Sequence, residues 1–108
     1  RRRGEVVTDE FTFGDVALNK STFSLSREGQ FVKLSLKEYQ IMEMLMANPR
    51  QLIPKERFIE KIWGYESDVE YNNVEVYISF LRKKIAAVGS KVSIKTARGI
   101  GYFLEGGE

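Results

Sequence analysis

Between residues 11 and 34 the chain runs in short stretches rich in Phe, Val, Thr and Leu, broken at Gly14-Asp15, Asn19-Lys20 and Glu28-Gly29. Branched and aromatic residues suit a pleated surface, whereas glycine, asparagine and aspartate reverse the chain. The spacing predicts a meander of three or four short antiparallel strands. At Ser35 the period changes. Ser35-Leu36-Lys37-Glu38 has the form of a capping box, in which a serine hydroxyl and a glutamate carboxylate satisfy the first backbone N–H groups of a helix. Leu36, Tyr39, Met42, Leu45 and Met46 then recur at three- and four-residue intervals and define one apolar face, until Asn48-Pro49 ends it. A second helix is expected from Pro54 or Lys55, with Phe58, Ile59, Ile62 and Trp63 inward and Gly64 as its terminator. A third should open at Asn72 or Asn73, either a suitable N-cap, and run to about Val88. Residues 92–97 and 102–104 read as the strands of a hairpin tipped by Arg98-Gly99-Ile100-Gly101.

The third helix carries the candidate chemistry. Val74, Ile78, Leu81 and Ile85 fall in one narrow stripe at helical spacing, which is its core seam. The opposite face holds Asn72, Val76, Ser79, Phe80, Lys83 and Ala87, with Asn73, Arg82 and Lys84 on the flanks. A helix facing only water rarely carries Val and Phe there. In a DNA major groove the set makes sense: apolar side chains meet thymine methyls, Asn and Ser hydrogen-bond base edges, and Lys or Arg takes phosphates. Asn72, Asn73, Val76, Ser79, Phe80 and Lys83 are therefore the candidate groove residues, and Arg82 and Lys84 candidate phosphate contacts. The alternative is that Phe80 packs under the loop before the helix or against the hairpin. In the hairpin, Arg98 would project from a tight tip into a minor groove, with Lys95 and Thr96 near the sugar-phosphate backbone. The flanking glycines suit that role and a plain turn equally well.

Charge supports a polyanionic partner. The 108 residues carry 17 Lys and Arg against 15 Asp and Glu, a formal charge of only +2. From Val76 to Leu104, however, six residues are basic and none is acidic, so the C-terminal third should attract a polyanion. There is no cysteine or histidine, which removes disulfides, thiol nucleophiles, imidazole bases and the usual zinc ligands. Glu66, Asp68, Glu70 and Glu75 cluster between the second and third helices without the spacing of a calcium loop. They read as a solvated loop or a protein-contacting surface. With no nucleophile, base and orienter set, no catalytic residue, metal or cofactor is expected. A 43% hydrophobic content suits one domain. Residues 1–10 are expected to be a linker remnant and 11–108 the domain, cut from a longer chain. No membrane span or secretion signal is visible, which points to a soluble, cytoplasmic protein.

Leu34-Ser35-Leu36-Lys37-Glu38-Tyr39, Ile62-Trp63-Gly64, the run from Val74 to Lys84 and Thr96-Ala97-Arg98-Gly99-Ile100-Gly101-Tyr102 together resemble the winged-helix effector domain of OmpR/PhoB-family response regulators. The resemblance extends over nearly the whole chain. It implies an α+β winged helix-turn-helix: a four-stranded antiparallel N-terminal sheet, three helices with the third in the major groove, and a C-terminal wing in the minor groove. It implies sequence-specific binding of double-stranded DNA in a two-component system controlling transcription. It also implies a backbone contact at Tyr77 and an RNA polymerase contact through Glu66, Ser67, Asp68 and Glu70. The family often has histidine where this chain has Tyr77, and a basic residue where it has Ser79 or Phe80, so the target site does not transfer. The phosphoacceptor receiver domain is not part of this sequence. The domain is expected to be a monomer alone and a dimer on tandem direct repeats, since one winged helix reads only a few base pairs. The competing reading from another class is a winged-helix protein-interaction module that binds an acidic partner. A basic membrane-surface element is the weakest, because the apolar stripe of the third helix is needed for the core.

Overall fold

The computed structural model describes residues 10–64 and 71–106, with the backbone alone for 71–73. Four strands, β1 (Glu10–Phe13), β2 (Val16–Asn19), β3 (Ser24–Arg27) and β4 (Gln30–Lys33), form an antiparallel sheet in sequential order. Their register pairs Phe11 with Leu18, Leu18 with Leu25 and Leu25 with Val32. One apolar row thus crosses the sheet, and its central members Leu18 and Leu25 are fully buried. The expected turns lie between the strands, and Gly14 and Gly29 adopt positive φ there.

Helix α1 (Leu36–Ala47) begins with the expected capping box. The Ser35 hydroxyl accepts from the Glu38 N–H, and Glu38 accepts from the Ser35 N–H. Tyr39, Met42, Leu45 and Met46 are buried, but Leu36 is 52% exposed. Leu36 is the first helical residue, and its side chain leans toward the N-terminus, beyond the core. Ile41, not anticipated, takes the inward place together with Glu38. After α1 come a two-residue strand, β5 (Ile53–Pro54), and a short helix, α2 (Lys55–Phe58), which widens into a π-helical turn over Ile59–Trp63. In an unbroken α-helix Trp63 would fall ~140° around from Phe58. The wider turn brings residues five apart together, and Phe58, Ile62 and Trp63 are all buried. Gly64, at φ +63°, closes the turn by donating to the Ile59 carbonyl.

Helix α3 (Tyr71–Ala87) begins one residue before Asn72, so both asparagines lie inside its first turn instead of capping it. Strands β6 (Ser93–Ala97) and β7 (Gly101–Glu105) make the hairpin. β5 pairs with β7 to complete a three-stranded sheet, order β5-β7-β6, which two residues of alternation could not have announced. A polar clasp ties the first sheet to the end of α3: Asp15 accepts from Arg27, the Ser90 hydroxyl and the Lys91 N–H. Burial pushes the Asp15 carboxyl up, but those hydrogen bonds and the Arg27 charge outweigh it and hold it below the ordinary carboxylate value.

Candidate nucleic-acid interface

Val74, Ile78, Leu81 and Ile85 are buried at 3% exposure or less, which commits one side of α3 to the core. Rotation follows from that stripe. On the other side Val76 is 46% and Phe80 43% exposed, with Ser79, Lys83 and Ala87 also open to solvent. Phe80 meets the edge of Tyr77 at 6.1 Å between ring centroids, and Tyr77 leans on Trp63 at 5.8 Å. Lys37 of α1 holds its ammonium 5.0 Å from the centre of the Trp63 ring and donates to the Ile62 carbonyl. The exposed aromatic is therefore braced by a file of rings that reaches back to α1. Tyr77, half-buried, is part of that brace. Lys37 was not expected in it, because a lysine next to a capping serine looks like any solvated side chain.

The flanking cations behave differently from the outward ones. Arg82 donates to the Ile94 carbonyl, at 3.0 and 2.7 Å, and to the Thr96 hydroxyl at 2.7 Å, binding α3 to β6. Lys84 donates to Glu38 Oε1 at 2.6 Å and to the Lys33 carbonyl at 2.9 Å. These bonds tie its ammonium, on a side chain 30% exposed, to α1 and to the end of β4. Arg82 keeps an exposed face but is half committed to the wing. Lys83 and Arg98 make no ion pair among the described residues and are exposed. Lys95 is exposed, 3.9 Å from Glu105. Thr96 is exposed too, with its hydroxyl taken up by Arg82.

At the wing tip the Ile100 N–H donates to the Ala97 carbonyl, closing the turn that carries Arg98, and Ile100 is 53% exposed. The two glycines have distinct jobs. Gly99 sits at φ +76° in open space, whereas a Cβ on Gly101 would lie 2.0 Å from the Ile53 carbonyl oxygen. Gly101 is the contact by which β5 holds the base of the wing. Beside it, Lys55 donates its backbone N–H to Ile100 and its ammonium to Glu75 at 2.6 Å. The Glu75 hydrogen bond raises the Lys55 pKa, and burial raises that of Tyr102 next to them. Glu75 therefore belongs to α3 and its junction with α2. Glu66, Ser67, Asp68 and Glu70 lie outside the described residues, as do the side chains of Asn72 and Asn73.

A helix presenting apolar, hydroxyl and cationic groups outward, set beside a basic hairpin and braced from behind, defines a winged helix-turn-helix. Residues 29–104 match the family described as transcriptional regulatory protein, C terminal, and the chain belongs to it. Among its relatives is the transcriptional regulatory protein DltR of Streptococcus agalactiae, 40% identical over 105 residues, covering 97% of this chain and 47% of DltR. The chain thus spans about half the length of the curated relatives it matches. The C-terminal domain of the nisin resistance regulator NsrR, a lantibiotic response regulator, superposes with a TM-score of 0.75 at 37% identity, over 90% of this chain and 98% of that one. The DNA-binding domain of Klebsiella pneumoniae RstA, solved in complex with its RstA box, superposes with a TM-score of 0.69 at 25% identity, over 87% and 94%. The expected OmpR/PhoB-type winged-helix effector domain is what the chain forms, and it is a regulatory domain, not an enzyme. No helix among the described residues is long and apolar enough to cross a membrane.

Proposed function

We propose that this domain binds double-stranded DNA sequence-specifically, as the effector of a cytoplasmic two-component response regulator controlling transcription. The observation that carries the reading is the outward face of α3, where Val76 and Phe80 stand about half exposed between Ser79 and Lys83. Apolar groups kept in water on a helix braced from behind suit a partner that buries them, and thymine methyls are such a partner. In this reading α3 enters the major groove with Asn72, Asn73, Val76, Ser79, Phe80 and Lys83. Arg98 enters the adjoining minor groove, and Tyr77, Arg82, Lys95 and Thr96 lie along the backbone. The RstA DNA-binding domain, solved in complex with its RstA box, supports DNA as the partner.

The remainder of the proposal concerns the whole protein. The loop with Glu66, Ser67, Asp68 and Glu70 would meet RNA polymerase, and two copies would sit on direct repeats about one helical turn apart, ~10 to 11 bp. Receiver domains in the longer protein would supply the pairing that this domain, monomeric alone, lacks. Selection from a random duplex library, repeated across salt concentrations, tests the reading. Enrichment of one motif with salt-dependent affinity is expected; enrichment of none, with affinity indifferent to salt, would refute it.

A further inference from the structure

Among the described residues the buried polar side chains are Ser24 and Glu38. Glu38 occupies a place in the α1 core stripe that an apolar residue would normally fill. Its Oε1 accepts from the Ser35 N–H at 2.7 Å and from the Lys84 ammonium at 2.6 Å, while the same ammonium reaches the Lys33 carbonyl. One cation therefore joins the end of β4, the N-terminus of α1 and the latter half of α3. A carboxylate so far from water is costly, and such a pair is often no more stabilising than well-packed apolar residues. The capping box accounts for Glu38 at this position, but stability alone does not account for the Lys84 ammonium brought to it.

Direction does. The seam of Val74, Ile78, Leu81 and Ile85 is held by apolar contact, which is non-directional and tolerates a small roll of the helix. A short charge-assisted hydrogen bond tolerates much less. Arg82 and Lys84, two residues apart, leave α3 ~200° from one another and so lie on opposite flanks. One is tied to β6 and the other to α1. We infer that Glu38 and Lys84 are a positioning pair that fixes the roll of α3, and with it the aim of Val76, Ser79, Phe80 and Lys83 at base edges. Lys84 acts through α3 and does not touch DNA. The inference rests on the duplex-binding reading above.

The test compares Lys84→Met, Lys84→Arg and the double variant Glu38→Gln/Lys84→Met in the full 108-residue chain. Affinity for the selected duplex and for a scrambled one is measured across salt. Residual dipolar couplings of the α3 and α1 amides are recorded without DNA. Lys84→Met should lower the ratio of specific to non-specific affinity by roughly tenfold, the size of one lost base contact, and leave the salt slope unchanged. Its couplings should report a rolled α3. Lys84→Arg should restore both. The double variant, which leaves no unpaired buried charge, should recover thermal stability yet keep the low ratio. A salt slope shallower by about 0.9, with equal loss on both duplexes, would make Lys84 a phosphate ligand and overturn the inference. A parental ratio and parental couplings in the folded double variant would also overturn it. Should the parent chain bind neither duplex in a salt-dependent way, the DNA reading fails, and the couplings still decide whether the pair sets the helix.

Discussion

Two glycines, two residues apart at the wing, should respond to alanine very differently. At Gly99 the added methyl meets nothing within 4 Å, so the cost is the left-handed backbone at φ +76° alone. That is about 1 kcal/mol. At Gly101 the methyl would stand 2.0 Å from the Ile53 carbonyl oxygen, 2.7 Å from its carbon and 2.8 Å from Pro54 Cα. All three are backbone atoms, and the buried Ile53 side chain fixes that strand, so no rotamer change relieves the clash. Either β5 withdraws, losing its pairing with β7 and the Lys55 to Ile100 hydrogen bond, or the wing bends. Two or three hydrogen bonds at ~1 kcal/mol each, or a comparable packing strain, give a loss of about 2 to 4 kcal/mol. Thermal unfolding followed by circular dichroism should place Gly99→Ala roughly 4 to 8 °C below the parent and Gly101→Ala about 10 to 25 °C below it. If the two variants melt together, β5 does not anchor the wing and the three-stranded sheet is wrongly drawn.

Three other outcomes are expected. With Lys83, Lys95 and Arg98 as the exposed cations that meet phosphate in the proposed complex, log affinity should fall against log salt with a slope of roughly −3, and Lys83→Ala should make it shallower by about 0.9; a slope near zero would falsify the electrostatic part of the account. Phe80→Ala should lower urea stability by no more than about 1.5 kcal/mol, the worth of its edge contact with Tyr77, but cost on the order of 1 to 3 kcal/mol at a preferred base, read on a panel of single-base duplex variants; a larger loss of stability with unaltered preference would return Phe80 to the core. Because the Asp15 carboxyl is held below its ordinary value in the folded chain, its stabilisation is present above the unfolded pKa of ~3.9 and disappears as pH falls through the folded value. Asp15→Asn should therefore unfold more readily than the parent near neutrality and converge with it in strong acid; a constant gap down to low pH would show that the clasp carries no charge-dependent stability.

Much of the architecture could be read from residue order because local signals agreed with the final packing. The meander turns, the capping box at Ser35, the stop at Gly64 and the α3 seam each depend on neighbours within a few residues. What escaped depends on distant chain. Leu36 keeps the period of α1 but lies past the edge of the core, and Ile41 replaces it. β5 is two residues long and exists only because β7 offers it an edge. The π-helical turn answers to the burial of Trp63, which no local propensity encodes. The double role of Gly99 and Gly101 is of the same kind, since a turn and a close approach by another strand place the same residue in the sequence.

For the interface, periodicity separated the buried from the exposed side of α3, because an apolar seam and its opposite face are properties of one helix. It could not sort the cations. Arg82, Lys83 and Lys84 are consecutive and chemically alike, yet only Lys83 points outward with no partner among the described residues, while its neighbours reach Ile94 and Glu38. The acceptors that claim them lie twelve and forty-six residues away. A helix turning ~100° per residue sends three adjacent side chains to three different surroundings. On a helix that docks its back and offers its front, the front cation is free to meet a polyanion and the flanking ones meet whatever the fold has placed there. A count of basic residues therefore overstates the number of side chains with donors free to meet a polyanion. The remainder of the triplet, Arg82 and Lys84, ties α3 to β6 and to α1.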